Sequence, residues 1–265
     1  MCHRLFLGVL GAALAVFSSL APGQAADTAP AGKTKVLYVF NGGHDGKGFI
    51  SLVGKVLEGT GDFTITNSEN ADDLKAENIG KYDLVLFYGS GGTIKNAQQE
   101  QGLWKFVHQG GGIVGVHATD ANKSSDVYWE LLGGRFTGHG SGKYAVHIYD
   151  REHPITAGLG DFEISDETYA HLYHKNACMR CLVRMDRGDE RQSMAWVQQH
   201  GKGRSFTTGF GDNRGAWSNP QFQRLLVRAM YWAAGRTPKD PPAAPAGSGS
   251  ITPRSSSSGQ ERAKS

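Results

Sequence analysis

The chain has 265 residues, 39% of them hydrophobic and 20% charged, an ordinary balance for a globular protein. Its formal net charge of +3 is too small, and its Lys and Arg too scattered, to point to nucleic acid. With its ends set aside, the length suits one domain, since single domains commonly run to ~200 residues.

Residues 1–26 read as a secretory signal. His3 and Arg4 form a weakly basic start, Leu5 to Leu20 is apolar, and Gly23-Gln24-Ala25 offers small residues for a signal peptidase. The apolar run is short for a membrane span, which needs ~20 residues. Cys2 precedes the run, unlike a lipoprotein cysteine. A periplasmic or secreted protein with no stable membrane insertion after cleavage is expected.

One domain is expected over residues 33–236. Lys35 to Phe40 is an almost continuous apolar run, as a parallel strand covered on both faces requires. The polar loop Asn41-Gly42-Gly43-His44-Asp45-Gly46 follows, without the spacing of a nucleotide-binding fingerprint. Phe49 to Leu57 has helical spacing; Phe63 to Thr66 reads as a second strand, and Ala71 to Ile79 as a brief polar helix. A third strand covers Asp83 to Tyr88, and an amphipathic helix Ala97 to His108. Then come three glycines and the short apolar run Ile113 to Val116, which stops at His117. Glycines suit a tight turn or close backbone approach, and ligands of open α/β sheets bind beyond the carboxyl ends of the strands. His117 is therefore read as one titratable group delivered to a site, the other reading being a satisfied histidine after a turn.

Ser125 to Leu132 reads as a helix and Gly133 to Gly140 as a glycine-framed loop carrying His139. Short strands follow at Ala145–Tyr149, Thr168–Tyr173, Leu182–Met185, Met194–Val197 and Ser205–Thr208, with a hairpin connection at 200–204. Pro220 to Ala234 closes the domain as a helix. The pattern is an α/β fold: a parallel sheet flanked by helices, with antiparallel strands added in the second half. Residues 237–265, rich in Pro, Ala, Ser and Gly, read as a disordered tail. In an exported protein Cys178 and Cys181 are expected to form a disulfide, which needs a turn between them; free thiols are the alternative.

Several stretches together resemble the ThuA-like (trehalose utilisation) family of the class I glutamine-amidotransferase-like superfamily, whose fold is flavodoxin-like. They are Gly110 to Ala118, Trp129 to Phe136 with Gly138-His139, His153 to Thr156, Asp166 to Tyr169, and Gly201 to Arg204, with Trp217 and Phe222 in fitting positions. The resemblance implies an enzyme of carbohydrate metabolism acting on a sugar or keto-sugar, with a small-molecule sugar as partner. In amidotransferase-like relatives the turn occupied here by His117 carries a nucleophilic cysteine; no cysteine here can take that role, so glutamine hydrolysis is not expected. His117, His139, Asp166 and Glu167 are the catalytic candidates, suited to acid–base work or to a divalent metal such as zinc. Adjacent carboxylates on a strand point to opposite faces, so one of Asp166 and Glu167 faces the site. His44, Tyr169, Arg204, Asp212 and Trp217 are candidates for substrate binding, with Trp217 and Trp129 as rim aromatics. Asp212 stands where relatives often carry histidine, a departure that unsettles any shared scheme using that position. The competing structural readings are backbone capping by Asp166 or Glu167, an ion pair for Arg204, core packing for Tyr169 and Trp217, and hydrogen-bond donation by His153. His108, His147 and His200 read as surface or structural. His117→Ala is expected to abolish activity with little change in melting temperature. A non-catalytic sugar- or partner-binding domain with a vestigial cleft is the other functional reading.

Overall fold

The structure is a computed structural model and describes residues 32–41, 43–89, 93–117, 119, 125–187 and 190–243. The leader-like residues 1–26 lie outside them.

The first strand explains the architecture. Val36, Tyr38 and Phe40 of β1 (Thr34–Asn41) pack into one apolar cluster, and Leu37 and Val39 into a second on the other face. A strand buried on both faces must sit between two helical layers. α1 (Gly46–Gly59) and α6 (Pro220–Ala233) cover the first face. α3 (Ala97–Gln109) and α4 (Asp126–Leu132) cover the second, with a 3-10 turn at Ala71–Leu74 and the short helix α2 (Ala76–Ile79) beside them. The remaining strands are β2 (Phe63–Ser68), β3 (Leu84–Gly89), β4 (Gly112–Val116), β5 (Gly134–Ile148), β6 (Phe162–Tyr173), β7 (Arg180–Arg187), β8 (Glu190–His200) and β9 (Gly203–Thr208). They form one sheet in the order β2-β1-β3-β4-β9-β8-β7-β5-β6. From β2 to β9 the neighbours run parallel, and from β9 to β6 they run antiparallel. The fold is the flavodoxin-like α/β arrangement expected, its parallel part ordered 2-1-3-4 and closed by β9.

The glycine run earns its place at two positions. Gly110 caps α3 at φ 124°, a conformation side chains rarely adopt. A Cβ at Gly112 would overlap the Ala233 carbonyl, so β4 can lie under α6 only as glycine.

Three expectations change. The segment after α4 is not a loop: it opens β5, a long strand paired with β6 from Gly134 to Val146. Its glycines erase the apolar alternation that marks a strand, but its pairing with β6, shifted once between Phe136 and Gly138, supplies the partners for its backbone. No disulfide joins Cys178 to Cys181. Cys181 is held in β7 opposite Trp196, and no turn folds Cys178 back toward it. The ordered chain also runs past residue 236, where Lys239 pairs with Asp62 and Asp240 with Arg224 and Arg228; residues 244–265 lie outside those described.

Candidate active site

Three carboxyl-end loops of the sheet meet a ribbon made by β5 and β6. His44 follows β1, His117 follows β4, and Asp212 follows β9. His139 lies on β5, directly opposite Tyr169 on β6.

His117 is fully buried and holds φ 48°, the one non-glycine residue at positive φ among the described residues. Backbone strain of this kind persists where the surroundings enforce it, and it marks functional turns. Here Thr119 Oγ1 accepts from the Val116 amide and donates its one proton to the Phe87 carbonyl, with the Val116 carbonyl also in reach, tying the turn shut. Nδ1 of His117 donates to the Gly209 carbonyl at 3.1 Å, which fixes the tautomer and turns Nε2 into the site. Nε2 faces Asp212 Oδ1 and Glu167 Oε2, each at 3.4 Å, and makes no hydrogen bond. The Tyr169 ring covers the imidazole at 4.0 Å, and the His44 ring meets it edge-on at 5.0 Å.

From this buried centre a chain of alternating imidazoles and carboxylates runs both ways. His44 Nδ1 lies 3.3 Å from Asp212 Oδ1, and His139 Nδ1 lies 2.5 Å from Glu167 Oε1. Exposure rises along it: the side chain of His117 is fully buried, that of Glu167 is 19% exposed and that of His139 55%. Burial favours a neutral His117, but the Asp212 carboxylate facing it and the Gly209 carbonyl leave its pKa above the ordinary imidazole range. Reciprocally, His117 holds the Asp212 carboxyl below the usual carboxylate range. Burial, then the nearby His117, pushes His44 down.

Asp166 and Glu167 diverge as strand neighbours must. Glu167 faces the imidazoles. Asp166 accepts from the Gly211 amide at 2.6 Å, the Asp212 amide at 3.0 Å and Asn213 Nδ2 at 3.1 Å, and burial pushes its carboxyl up to about 6. These contacts hold the loop presenting Asp212, the capping arrangement that is one of its two readings. Gly211, at φ 112°, lets that loop turn. Its carbonyl accepts from Tyr88 Oη and from Trp217 Nε1.

Two of the substrate-binding candidates lie away from the imidazoles. Trp217 is buried on α5 (Arg214–Trp217) against Phe49 and Tyr88, where it supports the Asp212 loop from below. Arg204 pairs in register with Gly112, five residues before His117 and so about 17 Å down the sheet. Its guanidinium donates to the Trp232 carbonyl over that ring. Trp129 is no open platform either, because the Arg135 guanidinium lies 4.1 Å above its ring. His153 fixes its loop as expected, but as an acceptor: its Nδ1 receives the Ile155 amide. The site thus unites His44, His117, His139, Glu167, Tyr169 and Asp212. Sequence reasoning missed Tyr88, the polar tip of an otherwise apolar strand, and Phe136, which packs edge-on to Tyr169 and stacks parallel to His139. His44, His117 and Asp212 each offer one metal-binding atom, and these atoms lie within 4.8 Å of one another.

A model of the ThuA family, described as trehalose utilisation, matches residues 35–233. The chain belongs to the ThuA family. Solved structures place it beside a ThuA-like protein from Parabacteroides merdae, at 20% identity and a TM-score of 0.67, covering 80% of this chain and 94% of that one. A ThuA-like protein from Bacteroides uniformis gives 18%, 0.66, 80% and 95%. A cytoplasmic protein from Salmonella typhimurium is similar at 12% identity and a TM-score of 0.58, over 75% of this chain and 98% of that one. Identities this low speak for a shared fold. No curated protein matches. Within the ThuA fold, this chain puts an imidazole, His117, on the strand-end turn, and the two cysteines among the described residues, Cys178 and Cys181, lie at and just before β7, outside the site.

Proposed function

We propose that this ThuA protein is an enzyme that acts on a sugar or keto-sugar by proton transfer through Glu167 and His139, with His117 behind them. The observation that carries this reading is the position of Glu167. One carboxylate contacts the buried His117 through Oε2 and the exposed His139 through Oε1. A carboxylate between two imidazoles can take a proton from a bound substrate and pass it to an exposed ring in contact with water. A vestigial cleft has no need of such convergence. The family description supports the sugar class, and the half-exposed Phe136 beside His139 offers an aromatic face for a sugar ring. The leader-like residues 1–26 support action outside the cytoplasm.

The test is incubation with a panel of disaccharides and their keto derivatives in deuterated water, followed by NMR for cleavage or deuterium uptake. Glu167→Gln and His139→Ala should each lower turnover by about 10²-fold or more. Sugar-induced thermal shifts with no turnover would replace the enzyme with a binding module. Unchanged turnover in Glu167→Gln would refute the assigned role.

A further inference from the structure

The Gly209 carbonyl can only accept, so His117 Nδ1 carries a ring proton and the buried Nε2 edge is turned into the site. That nitrogen is fully buried and without a hydrogen bond, yet two carboxylate oxygens stand 3.4 Å away. Two carboxylates converging on one buried nitrogen call for positive charge between them, either a ring proton or a bound cation. A shared proton would draw nitrogen and oxygen to about 2.8 Å, the length of a charge-assisted hydrogen bond. The observed spacing is wider and it repeats. Asp212 Oδ1 is 3.4 Å from His117 Nε2 and 3.3 Å from His44 Nδ1. Ligand atoms about 2.0–2.1 Å from a tetrahedral zinc-type ion stand roughly 3.4 Å apart.

We propose that His44, His117 and Asp212 bind one divalent cation of the zinc type. Two imidazoles and a carboxylate suit zinc, cobalt or manganese better than calcium or magnesium, which prefer all-oxygen sites. Three protein donors leave a coordination position open, the pattern of catalytic and not of structural zinc. The outer contacts are those a metal site needs. The Gly209 carbonyl orients His117, while Asp166 and Tyr88 hold the backbone that carries Asp212. This reading adds a cation to the proposed enzyme but does not depend on the sugar assigned to it.

The experiment uses the full chain, stripped with a chelator and titrated with Zn²⁺ and with Co²⁺. One equivalent should bind, Zn²⁺ should raise the melting temperature by about 5 °C or more, and Co²⁺ should give the intense visible bands of a four-coordinate site. His44→Ala and Asp212→Asn should each weaken binding by at least about 100-fold. His147→Ala is the control, since His147 sits between Asp161 and Asp186 on the surface and offers an adventitious site. Should Asp212→Asn fail to fold, His44→Ala and the cobalt spectrum still decide. Binding that survives both site variants, or that disappears with His147→Ala, overturns the proposal, as does a chain that takes up neither ion. Sugar turnover by such a chain would end this inference and leave the proton-transfer reading standing. A bound cation with no sugar turned over would do the reverse.

Discussion

Replacing His117 by glycine and by alanine separates the role of its ring from the strain of its backbone. Both substitutions delete the imidazole. Both lose the bond to the Gly209 carbonyl, which is left short of a buried partner at a cost of about 1–3 kcal/mol. Both also lose the contact with Tyr169, and emptying a fully buried ring site costs about 3 kcal/mol. A combined loss of about 4 kcal/mol corresponds to roughly 10 °C of melting temperature in a domain of this size. This departs from the unchanged melting expected from the sequence, because the sequence does not disclose that His117 is fully buried. Alanine, unlike glycine, must also hold φ 48°, which costs about 1 kcal/mol more, or roughly 3 °C. The order is therefore wild type above His117→Gly above His117→Ala, measured by calorimetric melting in the presence of a chelator, with activity absent from both variants. An alanine variant as stable as the glycine variant would refute the claim that this turn is strained.

Arg204→Ala should lower the melting temperature by a few degrees and leave kcat/KM within about twofold, since its partner is the Trp232 carbonyl; a tenfold fall would return Arg204 to the site. Trp217→Phe removes the bond to the Gly211 carbonyl, which keeps its Tyr88 partner, so it should cost about 1–3 kcal/mol and reduce kcat more than it raises KM. A raised KM at unchanged stability would mean that the ring touches substrate. His153 is held down to about 4 by burial and then by Arg180, and it accepts the Ile155 amide only while unprotonated. The unfolded chain takes up that proton near pH 6.5 and the folded chain only near 4. Stability from this group is therefore complete above pH 6.5 and falls by about 3 kcal/mol toward pH 4. Urea unfolding between pH 7.5 and 4.5 should show a shallower loss in His153→Gln than in wild type, and equal slopes would contradict the assignment.

The parallel half was legible because each strand there is buried on both faces and reads as an unbroken apolar run, such as Val36 to Phe40 or Leu84 to Tyr88. The start of β5 was not, because glycine at every second position from 138 to 142 supplies no pattern and the strand exists through its pairing with β6. At the site, polar residues at strand ends could be named in advance: His44, His117, Glu167 and Asp212 are brought together. What could not be read was which side of the packing a polar group serves. Asp166 and Trp217 lie within a few ångströms of the Asp212 loop, yet they bind its backbone from beneath. Only three-dimensional placement separates a group that supports a loop from one that the loop presents.

The turn at His117 shows how one fold changes chemistry without changing geometry. A left-handed turn at the end of a central strand throws its side chain upward into the cleft whatever that side chain is, and the backbone cost is the same for cysteine and histidine. A thiol there would attack a carbonyl. The imidazole here is pinned by Gly209 and faced by two carboxylates at 3.4 Å. Those carboxylates would repel an incoming oxyanion and attract a proton or a cation. On the function proposed above, the acids around the turn matter as much as the residue on it.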